Sequence, residues 1–157
     1  MVTSRRLRPL PALLVLAALS LGCGSGDVDR RGVRLGLTAA DTRARFVPPG
    51  PGSWASEAGG TLRWTASQPG EPLREAIFEF HQGMLVATRW LAEPASPDAE
   101  GPPLEATPGR LTTREPEAGA VRVTTLSRTC PAHADEVARR LSGASRLRAA
   151  IDPGRPR

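Results

Sequence analysis

The run Cys130-Pro131-Ala132-His133 is the one stretch of this chain whose residue types and spacing suit an active site. With Pro131 as the first helical residue, Cys130 takes the N-cap, where the helix dipole lowers a thiol's pKa. His133, one turn on, is then in reach as a base, or the two side chains supply two metal ligands. Structural zinc takes four ligands, and the only other histidine, His81, has no second cysteine near it. A thiol–imidazole dyad without a third member is poor evidence for catalysis. The preferred reading is a half-buried cysteine at a strand–helix junction with a solvent-facing histidine. His81 beside Glu79 reads as a solvated pair near a turn. The carboxylates show no pairing at a glycosidase spacing, and there is no GxSxG elbow. The glycines of GPGS and EAGG precede no phosphate-binding helix. The expectation is therefore no catalytic residue, no metal and no cofactor. The alternative is a thiol- or metal-dependent envelope enzyme using Cys130 and His133.

The second cysteine carries a different chemistry. Arg5, Arg6 and Arg8 precede the apolar stretch LPALLVLAALSLG, Leu10 to Gly22. That stretch is short for a bilayer span, which takes about 20 apolar residues, and the layout is that of a secretory signal. Ser20-Leu21-Gly22 suits an ordinary signal peptidase, and Gly22-Cys23 suits a lipoprotein signal peptidase. The stretch Leu19 to Cys23 resembles a bacterial lipobox. Thioether diacylation of Cys23, cleavage after Gly22 and N-acylation would give several acyl chains. Together these make a stable anchor, whereas one chain is marginal. The following GSGDVDRRG is small, polar and flexible, as a tether requires.

Composition narrows the class further. All 21 basic residues are arginine, and three lie in the leader, leaving 18 against 16 acids. A nearly balanced charge with no basic block and no aromatic-interleaved patch gives nucleic-acid binding no support. The 16 glycines and 16 prolines in 157 residues point to long loops around a small core. With Cys23 acylated, Cys130 is the last thiol and an internal disulfide is excluded.

Several elements position these residues. Thr38 followed by Asp41 makes a capping-box variant opening a helix over 39–46, with Ala39, Thr42 and Phe46 near one face. VPPGPG ends it, and Trp54 falls in the loop beyond. TLRWTA alternates as a half-buried strand. EAIFEFHQGMLVATRWL is a β-hairpin about Gln82-Gly83. A two-residue loop sets Phe80 opposite Leu85, and a three-residue loop sets it opposite Met84. Residues 93–118 hold six prolines and read as a mobile polar loop, in which GRLTTRE has the makings of a short strand. AVRVTTLSR is a strand by its β-branched residues. CPAHADEVARRLSG is a helix with Ala134, Val137, Ala138 and Leu141 as its apolar stripe, stopped at Gly143.

The order of residues 33–91 resembles the small outer-membrane assembly lipoproteins of the SmpA/OmlA (BamE-like) type. The matching pieces are Gly36-Leu37-Thr38, the VPPGPG break, Leu62-Arg63-Trp64 and Phe80-His81-Gln82-Gly83. The resemblance implies a scaffold or interaction module without catalysis, at the outer membrane and facing the periplasm.

The resulting expectation is an α+β fold, a small antiparallel sheet of about four strands with two helices packed on one face and a long Pro-rich loop. Residues 1–22 form the signal peptide and 23–32 the tether. Residues 33–145 form one domain interrupted by the 93–118 loop, and 146–157 form a tail. The expected function is a membrane-anchored, exported, non-catalytic binding or scaffold module of the bacterial cell envelope. Its expected partners are membrane lipid through Cys23 and an envelope protein or component, with no nucleic acid. Trp54, Trp64, Trp90 and His81 are the expected contact region, because aromatic residues dominate binding hot spots; the competing reading makes all three tryptophans core, Trp64 first among them.

Overall fold

The computed structural model describes the backbone of residues 31–151 and the side chains of residues 31–143. The expected leader, Cys23 and nearly all of the expected tether lie outside the described residues.

Helix α1 (Ala39–Arg45) begins at the expected cap, where the Thr38 hydroxyl accepts the Asp41 N–H at 3.2 Å. The same hydroxyl donates to the Asp41 carboxylate at 2.8 Å, so the shortened acid closes the box on the side chain. Strands β1 (Gly52–Ser56), β2 (Leu62–Ala66), β3 (Leu73–His81) and β4 (Met84–Ala92) form an antiparallel meander. The chain then crosses to the far edge and returns as β5 (Leu104–Ala106), β6 (Arg110–Glu117) and β7 (Ala120–Ser127). The result is one seven-stranded antiparallel sheet in the order β1-β2-β3-β4-β7-β6-β5. Helix α2 (Ala134–Ile151) closes the fold.

This corrects the expectation of a four-stranded sheet with both helices on one face. Three strands lie beyond that expectation: β5, the short run LEA, and two that composition disguised. β1 is the short run GSWAS, poor in β-branched residues, and it carries Trp54 out of the expected loop to stand opposite Trp64. β6 lies inside the stretch read as a mobile loop. Its Thr112 and Thr113 are strand formers despite their polarity, and all eight of its residues pair with β7. Pro116 is tolerated because β5 pairs only as far as Thr113, leaving that edge of β6 open. The crossover itself is pinned by an ion pair of Arg31 with the buried Asp98, at 2.5 and 2.8 Å.

The helices lie on opposite faces. Neighbouring residues on a strand point to opposite sides, and on β4 Trp90 packs on Phe46 at the end of α1. The adjacent Arg89 bonds Glu136 of α2 from the other side. One core, under α1, holds Phe46, Leu62, Trp64, Leu73, Phe78 and Trp90. The second and smaller core, under α2, holds Ala87, Leu111, Leu126 and Val137.

The hairpin adopts the two-residue loop, with Phe80 opposite Leu85 and His81 opposite Met84. Gln82 and Gly83 have φ of 51° and 78°, the left-handed pair that a tight hairpin turn demands. The register slips at Val86, and this bulge keeps Phe80 and Leu85 on the α1 face. Beyond the last β7 pair, Leu85 accepts the Gly36 N–H at 2.8 Å and donates to Leu37 O at 2.7 Å. These bonds hold residues 33–37 across the α1 face.

At the C-terminal end, Pro131–His133 is a single 3-10 turn before α2. The helix runs through Gly143 to Ile151, correcting the expected stop at Gly143. Glycine inside a helix costs about 1 kcal/mol relative to alanine and does not by itself end one.

Candidate functional site

The expected contact tryptophans are core residues. Trp64 is 1% and Trp90 3% exposed, so neither offers a surface to a partner. Phe46 is the hub, with its ring centroid 5.5 Å from both Trp54 and Trp64, 5.3 Å from Phe78 and 6.3 Å from Trp90, all edge-to-face. Only Trp54 is half-exposed, beneath the Arg43 guanidinium. His81 is half-buried at the hairpin end, opposite Met84.

Cys130 is 1% exposed. The His133 ring lies beside two carboxylates, with Nε2 3.6 Å from Glu79 and Nδ1 3.8 Å from Glu136. Among the described residues no cluster of three or more His, Cys, Asp or Glu side chains is placed to hold a metal. Cys130→Ala is expected to fold with a loss of about 1 kcal/mol, the usual scale for a small truncation. In the native protein the thiol should resist iodoacetamide until denaturant is added, as read by intact mass. Rapid alkylation of the native thiol would overturn its placement in the core.

His133 belongs to a network on the α2 face. Arg89 donates in a fork to both Glu136 oxygens, at 3.0 and 2.9 Å, and its Nε donates to Glu79. Arg140 bonds Glu136 at 3.0 Å, Glu115 at 2.7 Å and the Thr113 hydroxyl at 2.6 Å. Hydrogen bonding from Arg89 holds the Glu136 carboxyl down at about 2, against the opposing effect of burial. The Arg89 guanidinium is correspondingly raised by Glu136. An acid locked as its anion and an arginine locked as its cation fasten a helix to a sheet and exchange no protons near neutral pH.

Concavity is found on the opposite face. The α1 face carries three cross-strand rows over β4, β7 and β6. One joins Thr88, Thr125, Thr112 and, on β5, Glu105. The flanking rows put Trp90, Val123 and Arg114 on one side and Arg110 on the other. The aromatic cluster fills this face over β2–β4, but threonines are too small to fill it over β7 and β6. A cavity of about 230 Å³ remains, walled by the Val33-Arg34-Leu35 segment.

Its polar groups are mostly donors. Arg110, Thr112 and Arg114 point inward because alternate strand residues share a face. Glu105 binds Arg110 at 2.6 Å and approaches Arg114 at 4.0 Å. Arg114 also donates to Pro102 O at 2.8 Å. Gly101, with φ 118°, makes room for it, since a Cβ there would lie 2.7 Å from the guanidinium carbon. The Thr112 and Thr125 hydroxyls are 3.2 Å apart. The Trp90 Nε1 is buried and finds no acceptor among the described residues.

Sequence reasoning missed this site because its residues come from an apparent loop, the Val33-Arg34-Leu35 segment and two strands. The signal that could have found it is the alternation Arg110-x-Thr112-x-Arg114. No protein-family profile, curated protein or solved structure matches this chain.

Proposed function

We propose that this protein is an exported bacterial lipoprotein, held to the membrane through acylated Cys23, whose domain is a non-catalytic binding module of the cell envelope. The arginine-led leader, the short apolar run and Gly22-Cys23 support the anchor. The cavity over β4, β7 and β6 carries the binding half of the reading. Guanidinium, hydroxyl and indole groups recognise by charge and hydrogen bonding, and Glu105, the carboxylate among the described lining residues, is tied to Arg110. A pocket with an apolar floor and a few convergent polar groups is the usual form of a ligand site.

The anchor is tested by expression in a bacterial host with a labelled fatty acid. The native protein is expected to take the label and to enter the detergent phase on phase separation. Cys23→Ser is expected to lose the label and to remain uncleaved or appear in the aqueous phase. A native form that is water-soluble and begins at an unmodified residue overturns the anchor.

A further inference from the structure

We infer that the open edge of β1 pairs antiparallel with the β1 edge of a second copy of this chain, about a two-fold axis at Trp54. β1 ends the strand order, so one of its edges is left without a neighbouring strand. The bonds flanking the strand tell which residues face that edge. Ser67 N–H donates to Pro51 O at 2.9 Å, and Glu57 N–H donates to Thr61 O at 2.8 Å. Pro51 and Glu57 thus both bond towards β2, and residues that do so alternate along an antiparallel ladder. Ser53 and Ala55, opposite Thr65 and Arg63, fall in the same set. Gly52, Trp54 and Ser56 therefore turn their N–H and C=O outward, and these groups find no partner among the described residues.

The two edges of the sheet are built differently. At the far end β5 is short and carries Glu105, and the part of β6 beyond its reach holds Glu115, Pro116 and Glu117. Charge, proline and brevity are what keep an edge from pairing. The run Gly-Ser-Trp-Ala-Ser of β1 has no charge and no proline, and it pairs with β2 without a bulge. All of it but Trp54 is exposed. The strand also suits its own copy. Setting Trp54 against Trp54 places Gly52 against Ser56 on either side, so every outward residue meets an outward residue and both exchange their bonds. Ser53 then stands opposite Ala55, and small side chains fit these closer pairs. A two-fold axis brings identical groups together, and this strand has no like charges to oppose. The half-exposed Trp54 rings meet at the axis, where cross-strand aromatic pairs stabilise a sheet. A peptide from another protein would need none of this symmetry.

The test is sedimentation equilibrium of the full chain in density-matched detergent, beside two double variants at the exposed positions 53 and 55. The parent protein is expected to be a dimer that dissociates on dilution. Ser53→Glu with Ala55→Glu sets carboxylates opposite one another across the axis. Ser53→Lys with Ala55→Glu sets opposite charges there. The first should raise the dimer dissociation constant about tenfold and the second lower it about tenfold, from two equivalent cross-strand pairs. Circular dichroism of both variants should match the parent, since neither side chain is buried. Should either fail to fold, oxidative cross-linking gives a second measurement. Ser53→Cys mixed with Ala55→Cys should form a disulfide between copies, mapped to those positions by peptide mass, more readily than either variant alone. A parent that stays monomeric at the highest attainable concentration would overturn the inference, as would assemblies larger than a dimer. A dimer unmoved by both folded variants would overturn the seam. A shift in the same direction by both would overturn the two-fold register, as would a mixture that cross-links no better than its components.

Discussion

Phe46→Ala is expected to lose about 3–5 kcal/mol of folding stability, the range for deleting a buried aromatic side chain. Phe46 is 6% exposed and meets four rings at once, at centroid distances between 5.3 and 6.3 Å. Edge-to-face pairs add to the area they bury. Phe46 also terminates α1, its N–H donating to Thr42 O at 3.0 Å, so its ring is what seats that helix on the sheet. Denaturant unfolding of the variant beside Val47→Ala gives the comparison. Val47 is 59% exposed and its truncation should be nearly silent. A loss under about 1 kcal/mol at Phe46 would show that the rings do not hold α1 in place.

The second large effect is one of acidity. Glu136 has its carboxyl lowered from 4.5 to about 2 in the folded protein. A depressed carboxyl contributes stability that is fully present above its unfolded value and lost as pH falls towards the folded one. The loss should therefore fall between about pH 4.5 and pH 2. After allowance for a side chain still 19% open to solvent, the contribution is about 2 kcal/mol at neutral pH. Glu136→Gln should show this deficit at pH 7 and converge with the parent protein near pH 2 in thermal unfolding. Parallel curves across that range would mean that the Arg89–Glu136–Arg140 contacts do not stabilise the fold.

Much of the N-terminal half was legible because it obeys simple local rules. The Thr38 cap, the TLRWTA alternation and the Gln82-Gly83 turn each signal their structure within a few residues, and each element is present. The failures share a cause, which is polar residues doing structural work. GRLTTRE has the makings of a strand, but the prolines and polar residues around it make 93–118 read as loop, and β6 forms within it. The inner face of α2 is not the apolar stripe of alanines, since Ala134 and Ala138 are exposed. His133, Glu136, Val137, Arg140 and Leu141 recur at helical spacing and are the partly or wholly buried positions. Glu136 and Arg140 pair within the helix, and the remaining charge is met by Glu79, Arg89 and Glu115 on distant strands, which no local pattern reveals. The tryptophans erred in the other direction. A residue type common at interfaces was taken for surface, but the single aromatic Phe46 draws Trp64 and Trp90 inward. The cavity was illegible for a third reason. It depends on register, which sets Thr88 beside Thr125 and Thr112 across strands far apart in sequence.

The chain order of the sheet has a consequence for how the molecule assembles. β1 to β4 form by successive neighbouring strands, and so do β5 to β7, with every pairing inside each group closed by a local turn or short loop. Only β4 with β7 joins sequence-distant partners, and contacts of that kind form late because long loops must be closed first. The sheet is thus two locally formed halves meeting along one seam, and units of this kind open separately in native proteins. The cavity straddles that seam, with Thr88 and Trp90 on one half and Thr112, Arg114 and Val123 on the other. An occupant would touch both halves and act as a clasp across the slowest junction of the fold, so that filling the site and keeping the two halves together become one event.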